Sequence, residues 1–504
     1  MTGIYFYLSY GNPTRFYRKN AEKISHRGNL ESITHETESQ FLQVFINAAQ
    51  SDNNVLRIDP TTFSILDGQI YNADKLNYLS QNINEPLGTN INEILFNGYQ
   101  REGEKFYQNL QGEFTHIGIE ENKVFCARDP IGFNPLYYIH NKNHLVLCSE
   151  LKGLEDIPGT PKILQPGSCM EFTTAGVNAK QFFDVEITME NQGREKDLSL
   201  EELKRGLFIR LDNYVSQIMN ENDNVASLLS GGVDSTVICA LAQQYKKDLD
   251  VYTVAAEKSP DLKFAQAFSE KYPEVNHVIC TIEEKDVARI IPDVIYALET
   301  FDAALIRSAI PMFLLCSKIN SDTEILLTGE GADELFGGYH YLKDMSQKET
   351  IDELIEMLKT EHALGLQRVD RIIYNFGIEP KAPWFDTSIF EFSFQVPMKY
   401  KIREIDEHTY EKWIVHETFK EIIPEEVYLR KKAKFSRGVG SQFYMRDYCD
   451  KMISDEEFEK GKAKNPQIVL RSKEEYYYWK IFQDKFRVNS EFLRELPLTS
   501  QFIL

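Results

Sequence analysis

The stretch Val225-Ala226-Ser227-Leu228-Leu229-Ser230-Gly231-Gly232-Val233-Asp234-Ser235-Thr236 constrains the chain more than any other. Its apolar start reads as a buried strand, Ser-Gly-Gly as a turn, and the continuation Val237-Ile238-Cys239-Ala240-Leu241-Ala242 as a helix. A strand, a glycine turn and a helix N-terminus bring free backbone N–H groups and the positive end of a helix dipole to one point. That arrangement holds an anion, and a phosphate above all. No lysine follows the adjacent glycines, so this is not the Gly-x4-Gly-Lys-Ser/Thr loop, and the spaced glycines of a dinucleotide fingerprint are missing. The competing reading is an ordinary βα turn with a Ser/Asp helix cap.

A chain of 504 residues is too long for one core and implies at least two domains. With 42% hydrophobic and 26% charged residues it reads as soluble and globular. Its formal charge of −21 argues against nucleic acid as the main partner. The seven cysteines are scattered without a CxxC pair, which argues against a disulfide framework or a zinc site and for a reducing compartment. The first twenty residues read neither as a signal peptide nor as a membrane span, so the expectation is a cytoplasmic protein without a membrane partner.

Up to about residue 185 the pattern is short alternating strands. Residues 114–119 and 124–127 flank the turn Glu120-Glu121-Asn122-Lys123, and 135–139 and 144–148 flank Asn141-Lys142-Asn143, as hairpins. Helical periodicity is read over 38–49 and 91–99. Mostly antiparallel strands with few helices predict packed sheets with helices outside. The polar segment 190–197 reads as a linker, dividing the chain into domains 1–188 and 200–504.

The second domain alternates strand and helix. Strands are read at 225–229, 250–255, 276–280 and 324–328, and helices at 262–271, 287–298 and 311–319. That alternation predicts a parallel sheet covered on both faces, with ligands beyond the carboxyl ends of its strands. Leu228 to Ser235, Val254 and Thr328-Gly329-Glu330 then share one edge. The loop Thr328-Gly329-Glu330-Gly331-Ala332-Asp333-Glu334 carries three carboxylates in five residues. Its glycines allow close backbone approach, and the natural partners of such acids are Mg²⁺ on phosphates and a protonated nucleophile; a solvated acidic loop is the alternative. Arg430-Lys431-Lys432-Ala433-Lys434-Phe435-Ser436-Arg437 is either a cradle for a polyphosphate or a solvated basic loop.

Several motifs in order carry a resemblance. Ser25-His26-Arg27-Gly28, Asp67-Gly68-Gln69-Ile70-Tyr71-Asn72, Leu110-Gln111-Gly112-Glu113-Phe114 and Ala127-Arg128-Asp129-Pro130-Ile131-Gly132 look like landmarks of a glutaminase domain. The Ser-Gly-Gly-Val-Asp-Ser turn resembles the pyrophosphate loop of ATP pyrophosphatases. It is followed by Ser259-Pro260-Asp261, Ile306-Arg307, Gly329-Glu330-Gly331-Ala332-Asp333-Glu334, Arg430-Lys431-Lys432 and Ser472-Lys473-Glu474-Glu475. Together these resemble glutamine-dependent asparagine synthetase over nearly the whole chain. The resemblance implies an N-terminal-nucleophile αββα sandwich followed by a parallel-sheet, adenine nucleotide α-hydrolase-like synthetase domain.

It also implies a chemistry with ATP and Mg²⁺ as cofactors. A substrate carboxylate attacks the α-phosphorus of ATP and pyrophosphate leaves, held by Ser230, Gly231, Gly232, Asp234 and Ser235 with Lys432. Leu228, Val254, Thr328 and Gly329 line the adenosine, Asp234 and Asp333 place the metal, and Glu330 takes the proton of ammonia or an amine. The sequence departs from the family at the glutaminase. Its nucleophilic cysteine is Thr2, its Asn-Gly oxyanion hole is Asp67-Gly68, and the glutamine-gripping arginine segment has no counterpart between 31 and 54. A carboxylate repels a developing oxyanion, so the domain is expected to be a scaffold without glutaminase activity.

At the substrate end, the paired threonines of the family are Ala304 and Leu305, while Arg307 remains. Losing those hydroxyls predicts an acid other than aspartate, or aspartate bound more weakly. The competing readings are an intramolecular cyclase like β-lactam synthetase or lasso-peptide cyclases, a non-catalytic scaffold, and a tRNA-modifying pyrophosphatase. Retention of Glu330, where β-lactam formers carry tyrosine, favours the intermolecular ligase. A homodimer is left open by the sequence.

Overall fold

The computed structural model describes residues 2–11, 17–28, 31–46, 54–79, 86–121, 123–192, 198–255, 261–281, 284–405, 408–428, 430, 441–487 and 490–495. The chain divides into two compact units, one built on Met1–Val185 with Phe486–Leu496, the other on Glu186–Lys485.

In the first unit the strands run β1 Thr2–Ser9, β2 Glu31–Glu36, β3 Gln40–Ile46, β4 Val55–Arg57, β5 Phe63–Ile70, β6 Gly112–Ile119, β7 Val124–Arg128, β8 Tyr137–His140, β9 His144–Cys148, β10 Lys162–Ile163, β11 Ser168–Thr173 and β12 Gly176–Gln181. They form two six-stranded sheets, in the orders β10-β8-β9-β1-β3-β2 and β12-β11-β7-β6-β5-β4. Every pairing is antiparallel. The two-residue alternation decides what each face buries. Ile4, Phe6, Leu42, Val44 and Leu147 of the first sheet meet Ile65, Ile117, Val124 and Phe172 of the second in one core. The opposite face of the second sheet, with Leu66 and Phe114, packs on the helix Ile91–Glu102 through Ile94 and Leu95. Asn90 caps that helix, accepting the Glu93 N–H at 3.0 Å. On the first sheet lie the helix Arg18–Glu22 and the 3₁₀ turn Ser25–Arg27. This is the two-sheet sandwich with outer helices that the alternation predicts.

One element departs from the expectation. Residues 38–49 read as helical, yet Gln40–Ile46 is strand β3. It lies between β1 and β2 and is buried on both faces, so its side chains form the near-continuous apolar run Phe41, Leu42, Val44, Phe45, Ile46. An unbroken run mimics helical spacing, and only the pairing Ile4↔Val44 and Phe6↔Leu42 separates the two cases.

The second unit is a five-stranded sheet of β13 Val225–Leu228, β14 Asp250–Ala255, β15 Asn276–Thr281, β16 Ile325–Leu327 and β17 Glu379–Lys381, in the order β15-β14-β13-β16-β17. All four pairings are parallel. Helices Val233–Tyr245, Leu262–Lys271, Glu284–Leu298 and Ala303–Cys316 make the crossovers. The last begins eight residues before the expected start at Pro311, because Asp302 caps it, accepting the Leu305 N–H at 2.8 Å; Pro311 then sits inside the helix. Strand β17 had no sequence signal, being three residues long. The order reverses between β13 and β16, the switch point beyond whose strand ends ligands sit in sheets of this kind.

All seven cysteines are free and buried. Among the described residues no helix is long and apolar enough to cross a membrane. Leu42 in β3 is 1% exposed, so Leu42→Ala is expected to lower stability in denaturant titration by about 2–5 kcal/mol.

Candidate active site

The turn after β13 sits at the switch point. Gly231 has φ +75°, and a Cβ there would lie 2.9 Å from the Asp261 carbonyl oxygen, so only glycine fits. Hydroxyls brace the turn from inside. The Ser230 N–H donates to Ser235 Oγ at 3.0 Å, the two serine hydroxyls lie 2.9 Å apart, and the Thr236 hydroxyl donates to the Gly232 carbonyl at 2.7 Å. The helix Val233–Tyr245 follows with Gly232 as N-cap and no side chain capping it, which leaves its first N–H groups uncapped by side chains. Arg430 fastens the turn from outside, donating to the Gly231 carbonyl at 2.5 Å, pairing with Asp261 and lying 3.9 Å over the Phe264 ring. Lys432 and the rest of the basic segment 431–440 lie outside the described residues, as do Ser259 and Pro260.

The loop after β16 meets this turn. A Cβ on Gly329 would lie 2.6 Å from the Ser235 backbone nitrogen, so the two segments touch backbone to backbone. Thr328 and Val254 are buried, and Leu228 ends β13 half-buried.

The two loops are also joined by a charge that the motifs did not disclose. Lys412 is 3% exposed, and its Nζ lies 2.7 and 2.6 Å from the two oxygens of Asp234 and 2.8 Å from Asp333 Oδ1. Burial alone would lower the Lys412 pKa, but the two carboxylates reverse that and hold its ammonium well above the usual lysine range. Its backbone has φ +50°, a left-handed conformation that a side chain rarely adopts. Asp333 is packed so tightly that a Cβ on Gly338 would lie 1.7 Å from its Oδ1.

Glu330, on the same loop, is ion-paired with Arg368 of the helix Gly365–Tyr374. Next to it stands Glu361, 6% exposed, whose Oε1 has no hydrogen-bond partner among the described residues. Tyr339 donates its hydroxyl to Glu334, completing this acidic corner.

Arg307 is committed elsewhere. Its Nε donates to Glu474 Oε1 at 2.8 Å and its Nη2 to Glu474 Oε2, and the Tyr478 hydroxyl donates to Glu474 at 2.9 Å. The Glu474 hydrogen bonds raise the Arg307 pKa against the effect of burial. Ala304 is exposed and Leu305 buried, on the first turn of that helix. Glu474 belongs to a quoted motif, although its partner was not readable; Lys412, Arg368 and Glu361 carried no sequence signal.

In the first unit Thr2 is fully buried. Its N–H donates to Asp67 Oδ1 at 2.8 Å, its hydroxyl reaches the Leu66 carbonyl at 3.2 Å, and Asn54 Nδ2 donates to that hydroxyl at 3.3 Å. Arg27 Nη2 lies 3.9 Å from Asp67 Oδ2, and Arg27 Nη1 donates to Glu150 at 3.0 Å. Gly68 has φ +119°, and a Cβ there would lie 1.9 Å from the Glu113 carbonyl oxygen.

An antiparallel two-sheet unit followed by a parallel sheet, with a glycine turn and an acidic glycine loop at its switch point, is the build of an ATP-dependent carbon–nitrogen ligase of amidotransferase type. Comparison with known proteins names the family. The asparagine synthase model matches residues 208–363 and 345–491, and a glutamine amidotransferase domain matches 42–156. The chain belongs to the asparagine synthase family. Glutamine-hydrolyzing asparagine synthetase 1 of Arabidopsis thaliana is 28% identical over 495 residues, covering 93% of this chain and 83% of its own. Asparagine synthetase B of Escherichia coli (strain K12) is 29% identical over 423 residues, covering 79% and 74%.

Removing the Lys412 ammonium would leave two carboxylates facing each other. Lys412→Met is expected to cost about 3–5 kcal/mol in urea unfolding. In a double-mutant cycle with Asp333→Asn the coupling should exceed about 1 kcal/mol.

Proposed function

We propose that this chain is an ATP-dependent amide-forming ligase that adenylates a substrate carboxylate, releases pyrophosphate, and passes the acyl group to ammonia or an amine with loss of AMP. The observation that carries this reading is the junction of turn and loop, where Ser235 meets Gly329 and Asp234 and Asp333 share one cation. The N–H groups at the turn and helix start suit a leaving pyrophosphate, and Arg430 and Lys432 belong to a basic segment that suits its charge.

Mg²⁺ fits the donor set. Among the described residues no group of three or more potential metal ligands occurs, but two carboxylates already drawn onto a shared cation are what Mg²⁺ takes when phosphates fill its other positions. Asp234 and Asp333 would hold it, and it would supply charge neutralisation on the polyphosphate. The protein's own part is to aim the turn, exclude water with Trp384, whose Nε1 donates to the Asp234 carbonyl at 3.3 Å, and present Glu330 as acceptor for the amine's proton.

Two features support a departure from the relatives. Thr2 is sealed inside β1 with its N–H turned onto Asp67, and the Asp67 carboxylate stands where a glutaminase needs donors, so the nitrogen comes from free ammonia or an amine. At the substrate end, Ala304 and Leu305 offer no hydroxyl, and Arg307 is neutralised by Glu474, which suits an acid other than aspartate. Buried free thiols suit a reducing compartment such as the cytoplasm.

ATP–pyrophosphate exchange across a panel of carboxylic acids tests the reading. Exchange is expected with an acid other than aspartate, and amide formation with ammonium but not with glutamine. Glutamine-driven turnover would refute the scaffold role of the first unit, and no exchange with any acid would refute the ligase. Glu330→Gln should keep exchange while amide formation at neutral pH falls about 100-fold or more.

A further inference from the structure

The acidic corner beside Glu330 holds one group more than proton abstraction by a single base requires. Glu361 follows the helix Gln347–Thr360 in a 3₁₀ turn, and its side chain reaches over Gly365 toward Glu330. A Cβ on Gly365 would lie 1.9 Å from Glu361 Oε1 and 2.7 Å from Glu330 Oε1, so both carboxylates converge on the space that this glycine leaves open. Any side chain at 365 would close it.

Three carboxylates, Glu330, Glu334 and Glu361, meet in this corner. Among the described residues Arg368 is ion-paired with Glu330 through Nη2 while its Nε has no hydrogen-bond partner, and Tyr339 donates its hydroxyl to Glu334. Glu361 Oε1 is buried, unpartnered among the described residues, and aimed into the gap. A buried acceptor left in that state is costly unless a donor arrives. Burial, then the neighbouring Glu334 and Glu330 carboxylates, push the Glu361 carboxyl well above its usual range, against the pull of Arg368. Both its geometry and its charge environment therefore call for a small cationic donor.

We propose that Glu361 and Glu330 form a paired-carboxylate site for the ammonium nitrogen that becomes the amide. This rests on the ligase reading above. Two protons leave nitrogen between ammonium and amide. The first frees the lone pair. The second leaves as the C–N bond forms and the C–O bond to AMP breaks, with AMP taking that bond's electrons. A pair of carboxylates supplies an acceptor for each proton, where Glu330 alone supplies one. Only a small nitrogen fits between oxygens so close, so the site takes ammonia or an unhindered primary amine.

The test uses the full-length protein, Glu361→Gln, and rubidium as an ammonium-sized probe visible by anomalous scattering. Wild-type crystals soaked in rubidium chloride should show a peak within hydrogen-bonding distance of Glu361 Oε1, and Glu361→Gln crystals should lose it. With the acid found by exchange, the KM for ammonium chloride should rise about tenfold or more in Glu361→Gln while exchange stays within about twofold. Should that variant fold poorly, Glu361→Asp, which keeps the charge at shorter reach, should give an intermediate KM. An empty rubidium site, an unchanged ammonium KM, or a rise in the acid's KM in exchange would each overturn the assignment. If no acid supports exchange, the ligase reading falls, and the rubidium peak still decides whether a cation binds there.

Discussion

One buried ammonium ties the second unit's site together. Lys412 comes from a third segment, far along the chain from either partner, and bonds both Asp234 and Asp333. Without it, the turn after β13 and the loop after β16 would bring two carboxylates together with nothing between them. In a poorly solvated crevice such a pair repels, and the loops would splay or one acid would protonate. With it, the acids are held apart by a common partner at a spacing set by one nitrogen atom. The left-handed backbone at Lys412 shows that this placement overrides local preference, a sign of a position fixed by its surroundings.

The two units use buried charge to opposite ends. Lys412 pairs with Asp234 and Asp333, Arg368 with Glu330, and Glu361 Oε1 has no hydrogen-bond partner among the described residues. Around Asp67 the charges are buried: Thr2 donates to Asp67, Arg27 lies 3.9 Å from it and pairs with Glu150, and Lys152 pairs with Glu150 as well.

Legibility in the sequence followed the range of the interactions. Ser230-Gly231-Gly232 was readable because the turn is local, its glycine demanded by a positive φ and a close backbone approach. The parallel sheet was readable because alternation of strand and helix leaves few topologies. Strand β3 was misread because a doubly buried strand loses its two-residue alternation, and β17 was too short to show any. The side chains around the acids were illegible for another reason. Lys412, Arg368 and Glu361 stand in Glu411-Lys412-Trp413, Gln367-Arg368-Val369 and Glu361-His362, where no glycine turn or charge cluster marks them, and long-range packing sets their partners. Arg307 was legible as a cation and illegible as one already neutralised, since Glu474 lies 167 residues away.

The burial of every cysteine has a consequence for how this protein meets oxidants. Burial pushes the thiols of Cys169, Cys239 and Cys449 up to about 12, so near neutral pH almost none of each is the reactive thiolate. For Cys449 the neighbouring Glu474 and Asp450 carboxylates act in the same direction as burial. Peroxides and alkylating reagents attack the thiolate, so the folded chain is shielded from them by its packing and not by any lack of sulfur. Each thiol becomes vulnerable only when its own region opens. Their spread, from Cys126 in β7 to Cys239 behind the glycine turn and Cys449 near the C-terminal end, gives each unit its own internal reporter. Chemical ageing of this protein would then follow the opening of its separate cores, and the order in which the thiols are lost would record which core gives way first.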